Sequence, residues 1–185
     1  MLLRASMLPL LLLALAGQAC AQGILVDKSD IRFVSKQMGV TFEGRFRKWK
    51  ANVVFLPNDL ARSKAEFDID LASIDLESDD SESEIKGPLW FDTAKFPLAH
   101  FASTSMKGLG GDKFEISGQL TIKGVAKNAI VPIALKKDPT GNTVADGTFT
   151  VKRLDYGIGM GLWADTETVA NDVVVRVHMV LPPPK

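Results

Sequence analysis

Apolar and polar side chains alternate along most of the chain after residue 22, so the pattern repeats every two residues. In residues 63–71, Ala65, Phe67, Ile69 and Leu71 share one face, and the charged residues between them share the other. This alternation is typical of β-strands with one buried and one solvated face. It predicts strands at residues 29–38, 51–56, 63–71, 99–107, 114–123, 129–136, 147–154 and 173–181.

Short segments rich in glycine, proline, asparagine and aspartate separate the predicted strands. They include residues 57–59 (PND), 108–112 (GLGGD) and 138–142 (DPTGN). Such residues fix or free the backbone angles of turns, and their regular spacing is typical of an antiparallel meander. About eight strands at this spacing predict an all-β sandwich or barrel. Nothing in the pattern indicates a second domain, an internal repeat or a long linker.

Residues 1–21 do not follow the alternation. Arg4 precedes an apolar run at residues 7–16, and the segment ends in small residues at 19–21 (ACA). This is the arrangement of a secretory signal peptide, and it is too short for a stop-transfer helix. We expect cleavage after Ala21, which leaves a domain of residues 22–185. A lipoprotein anchor at Cys20 is the alternative, but Gly17 stands where a bulky aliphatic residue normally precedes a lipidated cysteine.

Charge and cysteine content narrow the classes of partner and of fold. The chain has 22 basic and 22 acidic side chains, so it offers no charged field for nucleic acid or an anionic membrane. Partners must then be recognised by shape and apolar contact. The single cysteine lies in the leader. The exported domain therefore has no disulfide and must be held together by its core.

One segment interrupts the strand pattern. Residues 76–84 (LESDDSESE) are rich in carboxylates, which indicates a solvated loop or the first turn of a helix. The oxygen spacing and turn glycine of a calcium loop are absent. Trp90, Phe91 and Phe96 follow within seven residues, between Pro88 and Pro97. Because three aromatic side chains in so short a stretch do not suit an exposed loop, we expect them to insert into the interior or close over it.

The sequence offers little catalytic chemistry, and we predict no catalytic and no metal-ligating residue. His100 and His178 are the only histidines, and neither has a second ligand at helical or hairpin spacing. There is no Gly-x-Ser-x-Gly elbow and no phosphate loop. Residues 157–161 (GIGMG) lack the third glycine of a dinucleotide fingerprint and do not open a helix. We interpret them as a glycine-rich loop or bulge at a barrel rim.

An eight-stranded barrel is just wide enough to be filled by its own side chains or to hold one slender ligand. The residue pattern alone leaves both outcomes open.

Five motifs, in order between residues 24 and 181, resemble those of the YceI-like family of periplasmic polyisoprenoid-binding proteins. They are IRFVSKQMGV at residues 31–40 with the following GRF and Trp49, IDLASI at residues 69–74, WFDTAKFP at residues 90–97, GQLTIKGV at residues 118–125 and RLDYG at residues 153–157. Two positions depart from the family pattern. Lys123 stands where many members carry histidine, and Gly87-Pro88 interrupts a stretch that is usually helical.

The resemblance implies an extended, antiparallel, eight-stranded lipocalin-like barrel with a short helical and aromatic insertion. It implies a non-catalytic periplasmic carrier whose apolar pore holds a polyisoprenoid, the tail of an isoprenoid quinone or a similar amphiphile, with no cofactor besides this ligand. Twelve apolar residues are candidates to line the pore, and they are Phe33, Phe67, Ile69, Trp90, Phe91, Phe96, Phe101, Phe114, Ile116, Leu120, Ile122 and Phe149.

Two other functions stay open at this point. One is an interaction module with a filled barrel that serves a membrane redox protein. The other is an enzyme that acts on a lipid at the barrel mouth through Arg153, Asp155 or the acidic segment. The expected partner is a long-chain isoprenoid lipid and not a nucleic acid, and a homodimer is compatible with the family.

Overall fold

The computed structural model describes residues 23–183, so the predicted leader and Cys20 lie outside the described residues. Within this range the chain forms one antiparallel sheet of ten strands and one α-helix, named α1 (Asp79–Lys86). The strands are β1 (Asp30–Gln37), β2 (Val40–Phe46), β3 (Trp49–Val54), β4 (Lys64–Asp70), β5 (Ile74–Asp75), β6 (Leu98–Gly110), β7 (Lys113–Ile122), β8 (Val125–Lys137), β9 (Thr143–Lys152) and β10 (Asp172–Leu181). No helix in residues 23–183 is long and apolar enough to cross a membrane.

The sheet closes on itself through two bent segments. Its strand order is β3-β4-β6-β7-β8-β9-β10-β1-β2-β5. Only Arg47 and Lys48 separate β2 from β3, and a single 3-10 turn separates β4 from β5. Backbone hydrogen bonds from Arg47 N to Ser73 O and from Asp70 N to Lys48 O, both 3.0 Å, continue the pairing across the bends. The sheet has ten strands and not the expected eight, because two bent chain segments each contribute two strands, β2 with β3 and β4 with β5.

The strand prediction missed β2 and the two-residue β5. On β2 the inward positions are Phe42, Gly44 and Phe46, so a glycine interrupts the apolar pattern. Gly44 pairs with Phe33 of β1, and a Cβ at Gly44 would collide with the Phe33 ring. The glycine is therefore required by the close approach of an aromatic side chain from the neighbouring strand, which the alternation rule does not take into account.

The predicted inward and outward faces are confirmed. Ile31, Phe33 and Ser35 are buried on β1, while the residues between them are only partly buried. On β10 the side chains of Val175 and Val177 face the barrel interior, and Arg176 between them is exposed. Because a closed barrel has a single inside, this alternation gathers the apolar side chains of all its strands around one axis.

The acidic segment forms the start of α1, one of the two expected outcomes. Ser78 caps the helix by accepting a hydrogen bond from the Ser81 amide, and Asp79, Asp80 and Glu82 occupy the first turn. A hydroxyl cap and carboxylates suit this end because it carries free N–H groups and the positive end of the helix dipole. The helix ends at Gly87, and the aromatic segment then folds back on it through a hydrogen bond from Phe91 N to Ile85 O.

Candidate functional site

The barrel interior is not filled by its own side chains. A cavity of about 140 Å³ lies at the end of the barrel near the β6–β7 turn, and it is here called the far chamber. Strands β1, β3, β4 and β6 to β10 all contribute to its lining. The lining residues are Ile31, Val53, Phe55, Ala65, Phe67, Ile69, Phe101, Met106, Phe114, Ile116, Leu120, Val131, Ile133, Leu135, Thr143, Ala145, Phe149, Val175, Val177, Met179 and Leu181.

A second cavity, the near chamber, adjoins the first along the barrel axis and has a volume of about 130 Å³. Five residues line both chambers and form the junction between them, namely Ile31, Ile69, Leu120, Phe149 and Val175. The other lining residues of the near chamber are Phe33, Ser35, Phe42, Phe46, Leu71, Ile85, Trp90, Phe91, Ala99, Ile122, Val151, Arg153, Ile158, Val169 and Val173. The two chambers lie side by side and are lined almost entirely by apolar side chains, and together they are called the lumen.

A wider, more polar cavity of about 580 Å³, here called the mouth, adjoins the near chamber under α1. Phe42, Ile85, Trp90 and Val169 line both the near chamber and the mouth. The remaining mouth residues are Gln37, Met38, Val40, Leu76, Asp80, Ser81, Glu84 and Trp163. The described residues thus place a polar cavity next to the apolar lumen.

Eleven of the twelve predicted pore residues line the lumen. The far chamber contains Phe67, Phe101, Phe114 and Ile116, the near chamber contains Phe33, Trp90, Phe91 and Ile122, and the junction contains Ile69, Leu120 and Phe149. Whether these residues contact a ligand stays a prediction.

Phe96 is the exception, and the expectation that it faces the interior is wrong. Its ring packs over Gly124 in the β7–β8 turn, where a Cβ at Gly124 would lie 2.9 Å from the Phe96 ring. Phe96 lines neither chamber. The reason is its place in the segment, since Phe96 lies at the end of the aromatic turn, next to the start of β6, and covers the outside of a hairpin there.

Many lining residues were not among the candidates. Val131, Ile133 and Leu135 of β8 and Val177 and Met179 of β10 follow the same two-residue period as the candidates, so the alternation itself could have found them. Phe55 also had this signal, because it shares the face of Val53 in the predicted strand 51–56, although the observed β3 ends at Val54. Its ring meets that of Phe114 edge to face at a centroid distance of 5.3 Å, a contact between residues far apart in sequence.

Arg153 lies in the wall of the near chamber and is 2% exposed. All five of its N–H groups donate to backbone carbonyls, at distances between 2.7 and 3.1 Å, and no carboxylate is among its partners. The accepting carbonyls belong to Ile158, Gly159, Trp163, Val169 and Ala170. Burial lowers the pKa of this guanidinium, with no neighbouring acid to oppose the effect. Arg153 thus holds the loop that closes the barrel end.

Lys123 also ties this end of the barrel together. Its Nζ donates to the carbonyls of Pro88 and Gly157, each at 2.9 Å. Burial lowers the pKa of the Lys123 ammonium group, while the charge of Asp92 acts in the opposite direction. The lysine therefore joins the aromatic segment to the glycine-rich loop.

The remaining polar candidates lie away from the lumen. Each histidine pairs with one aspartate on the outer face of the barrel, His100 with Asp68 at 2.7 Å and His178 with Asp146 at 2.6 Å. Asp155 is exposed. In the described range, no three histidine, cysteine, aspartate or glutamate side chains gather as a metal site would require.

Comparison with known proteins agrees with this architecture. The model of the YceI-like domain family matches residues 24–181. The chain belongs to the YceI-like family. Among relatives of this YceI-like protein, a UPF0312 protein of Azotobacter vinelandii is 30% identical over 175 residues, which cover 89% of this chain and 90% of the relative.

Solved structures share the YceI-like fold. The crystal structure of Burkholderia cenocepacia BcnA is 37% identical and superposes with a TM-score of 0.81, covering 85% of this chain and 99% of that one. A polyisoprenoid binding domain from Saccharophagus degradans, implicated in plant cell wall breakdown, is 18% identical with a TM-score of 0.70. It covers 89% of this chain and 99% of that domain, and at this identity the likeness concerns the fold alone.

Proposed function

We propose that this protein is a non-catalytic periplasmic carrier that holds a polyisoprenoid, an isoprenoid quinone or a similar amphiphile in its lumen. The observation that carries the proposal is the pair of adjoining apolar chambers, with a more polar cavity beside one of them. A core whose only role is packing approaches crystal-like density and leaves few voids larger than a water molecule. Two unfilled chambers in line are better explained by a ligand that occupies them.

The physical basis of binding is the transfer of apolar surface out of water. Each buried CH₂ unit contributes roughly 0.8 kcal/mol, so a chain of many carbons needs no ion pair to bind tightly. The lumen suits such a chain because its lining side chains are almost all aliphatic or aromatic. Length and width of the lumen would then select the ligand.

Two further observations support the proposal. The family to which the chain belongs gives the fold, and a neighbour of that fold is a polyisoprenoid binding domain. The charged head, apolar run and small-residue exit of residues 1–21 support export, and therefore a periplasmic location.

Lipid uptake by the delipidated protein tests the proposal. Trp90 lines the near chamber, so bound quinone should quench its fluorescence in a saturable titration. Ala145→Phe fills part of the far chamber and should weaken uptake of a long-tailed quinone by about tenfold or more. Thr148→Phe places the same ring on the exposed face of the same strand and should leave uptake unchanged. Absence of saturable uptake, or equal loss in both variants, would contradict the proposal.

A further inference from the structure

The charges at the mouth all have one sign. Asp80 and Glu84 of α1 line it, and the other acidic residues of the helix, Asp79 and Glu82, flank them. No lysine, arginine or histidine of the described range lines the mouth. The nearby Lys86 is directed to Glu82, at 3.5 Å between Nζ and Oε2. The charged side chains that line this opening are therefore carboxylates, while the neighbouring cations Lys86 and Arg47 pair with Glu82 and Asp75.

The lumen behind the mouth offers no free cationic donor either. Arg153 is the one charged residue that lines the near chamber in the described part of the chain. Each of its N–H groups already donates to a backbone carbonyl. A phosphate is recognised by several charge-assisted hydrogen bonds, and it would have to take them from those carbonyls. Doing so would leave buried carbonyls unpaired, which is unfavourable.

The near chamber also contains two buried polar side-chain atoms that lack a hydrogen-bond partner among the described residues and could bind a neutral ligand group. Among buried side chains of residues 23–183, Ser35 Oγ and Trp90 Nε1 have no hydrogen-bond partner, and both residues line the near chamber. Ser35 is 5% and Trp90 9% exposed. Buried polar atoms are nearly always paired, so these two call for an explanation. Both atoms are covered in this structure, so binding of a ligand oxygen to them requires the chamber wall to move.

From these observations we infer that the lumen selects amphiphiles with a neutral head group, such as a quinone or an alcohol, over the phosphate and diphosphate esters of the same isoprenoid. The inference rests on the proposed function and specifies the head group of its ligand. Asp80 and Glu84 repel an anionic head at the mouth, and Arg153 has no donor left to compensate. A quinone carbonyl can accept hydrogen bonds from Trp90 and Ser35 without adding a charge.

Three ligands with one tail test the inference. Geranylgeraniol, a menaquinone with a geranylgeranyl tail and geranylgeranyl diphosphate differ only in the head group. We expect the diphosphate to bind the full domain at least about tenfold more weakly than the alcohol at low salt. Added salt should narrow the difference, because ions screen charges near the surface.

A charge-neutralising variant tests how much the mouth carboxylates contribute to this selectivity. In the double variant Asp80→Asn with Glu84→Gln, the affinity for the diphosphate should come to within about threefold of the affinity of the same variant for the alcohol. Gln at position 84 keeps a carbonyl oxygen for the hydrogen bond from Trp163 Nε1. Asp112→Asn with Glu115→Gln removes the same charge near the β6–β7 turn, at the other end of the barrel, and should leave the ratio unchanged.

The outcomes separate the two proposals. If all three ligands bind with equal affinity, or if the diphosphate binds best, the carrier function stands and neutral-head selection is overturned. A ratio that responds equally to the mouth variant and to the control variant also overturns it. If none of the three ligands binds, the carrier function itself fails, and the inference fails with it.

Discussion

The guanidinium carbon of Arg153 lies 5.9 Å from the centre of the Trp90 ring. Trp90 also lies against Trp163, with 5.6 Å between ring centroids. Arg153 therefore contacts an aromatic ring of the segment after α1 while it holds the carbonyls of residues 158–170. A buried cation is tolerated here because every donor is satisfied and an aromatic face lies beside it. The Arg153 side chain therefore contacts both the wall of the near chamber and the loop that closes it.

Replacing Arg153 by lysine should destabilise the fold strongly. Lysine has three donors in a different geometry, so at least two of the five carbonyls would lose their partner inside the protein. We expect the free energy of unfolding to fall by about 3 kcal/mol or more in urea titrations. Lys152→Ala changes the exposed neighbour and should cost less than about 0.5 kcal/mol. A change below about 1 kcal/mol in Arg153→Lys would mean that the carbonyls find other partners.

Asp75 should make stability depend on acid pH. Its buried carboxylate accepts hydrogen bonds from Arg45 Nε at 2.8 Å and from Arg47 Nε at 2.9 Å. Arg47, and then Arg45, lower the pKa of the Asp75 carboxyl from 3.8 to about 2. Because the pKa in the folded state lies below that in the unfolded state, the stabilisation is present above pH 3.8 and is lost as the pH falls towards 2.

Urea midpoints measured across this pH window check the role of Asp75. The Asp75→Asn variant should be less stable than the parent protein at neutral pH, and the difference should shrink as the solution is acidified. Asp112→Asn, which removes an exposed carboxylate in the β6–β7 turn, should keep the parent's pH profile. Parallel profiles for the parent protein and Asp75→Asn would contradict the linkage.

A larger side chain at the junction between the chambers should shorten the usable lumen. Val175 lines both chambers, so Val175→Phe should confine a ligand to the near chamber. Long-tailed quinones should then lose about tenfold or more in affinity, while short-tailed quinones lose little, since each CH₂ left in water forgoes roughly 0.8 kcal/mol. Val174→Phe, on the opposite face of β10, is the matched control. An equal loss for all tail lengths would show that the two chambers do not hold one extended chain.

Removing the indole N–H should affect ligands that carry a carbonyl and spare those that do not. Trp90→Phe keeps an aromatic ring in the near chamber but lacks Nε1, which has no partner among the described residues. We expect quinone affinity to fall about fivefold, the effect of one neutral hydrogen bond of about 1 kcal/mol. Squalene, a hydrocarbon, should lose less than half as much. Equal losses for both ligands would assign Trp90 a packing role only.

The sequence was a good guide to the faces of the strands and a poor one to what the barrel contains. Alternation placed Phe67, Phe101 and Ile116 inside because the period of a strand decides which face a residue takes. It could not show that the lumen is unfilled, because free volume depends on how side chains from eight segments meet across the axis. Phe96 was misplaced for the same reason, since its outward packing depends on Gly124 of a distant turn.

Arg153 illustrates a second limit. The RLDYG motif marked the residue, yet its role depends on the path of a loop that brings five carbonyls around one guanidinium. The path of the loop depends on backbone turns at Gly157 and Gly159, both of which have a positive φ. No residue pattern specifies the direction in which the carbonyls of these turns point. Conversely, the acidic stretch before the aromatic segment was interpretable, because capping and dipole rules act within one helical turn.

Native mass spectrometry of the protein recovered from its native cells tests the central claim most directly. If the lumen carries an isoprenoid amphiphile, the gently ionised protein should retain an additional hydrophobic mass. Organic extraction should release it, and fragmentation should identify an isoprenoid tail. The Ala145→Phe variant should retain much less of this mass than Thr148→Phe. A protein that is always empty, and that takes up no added isoprenoid, would contradict the account.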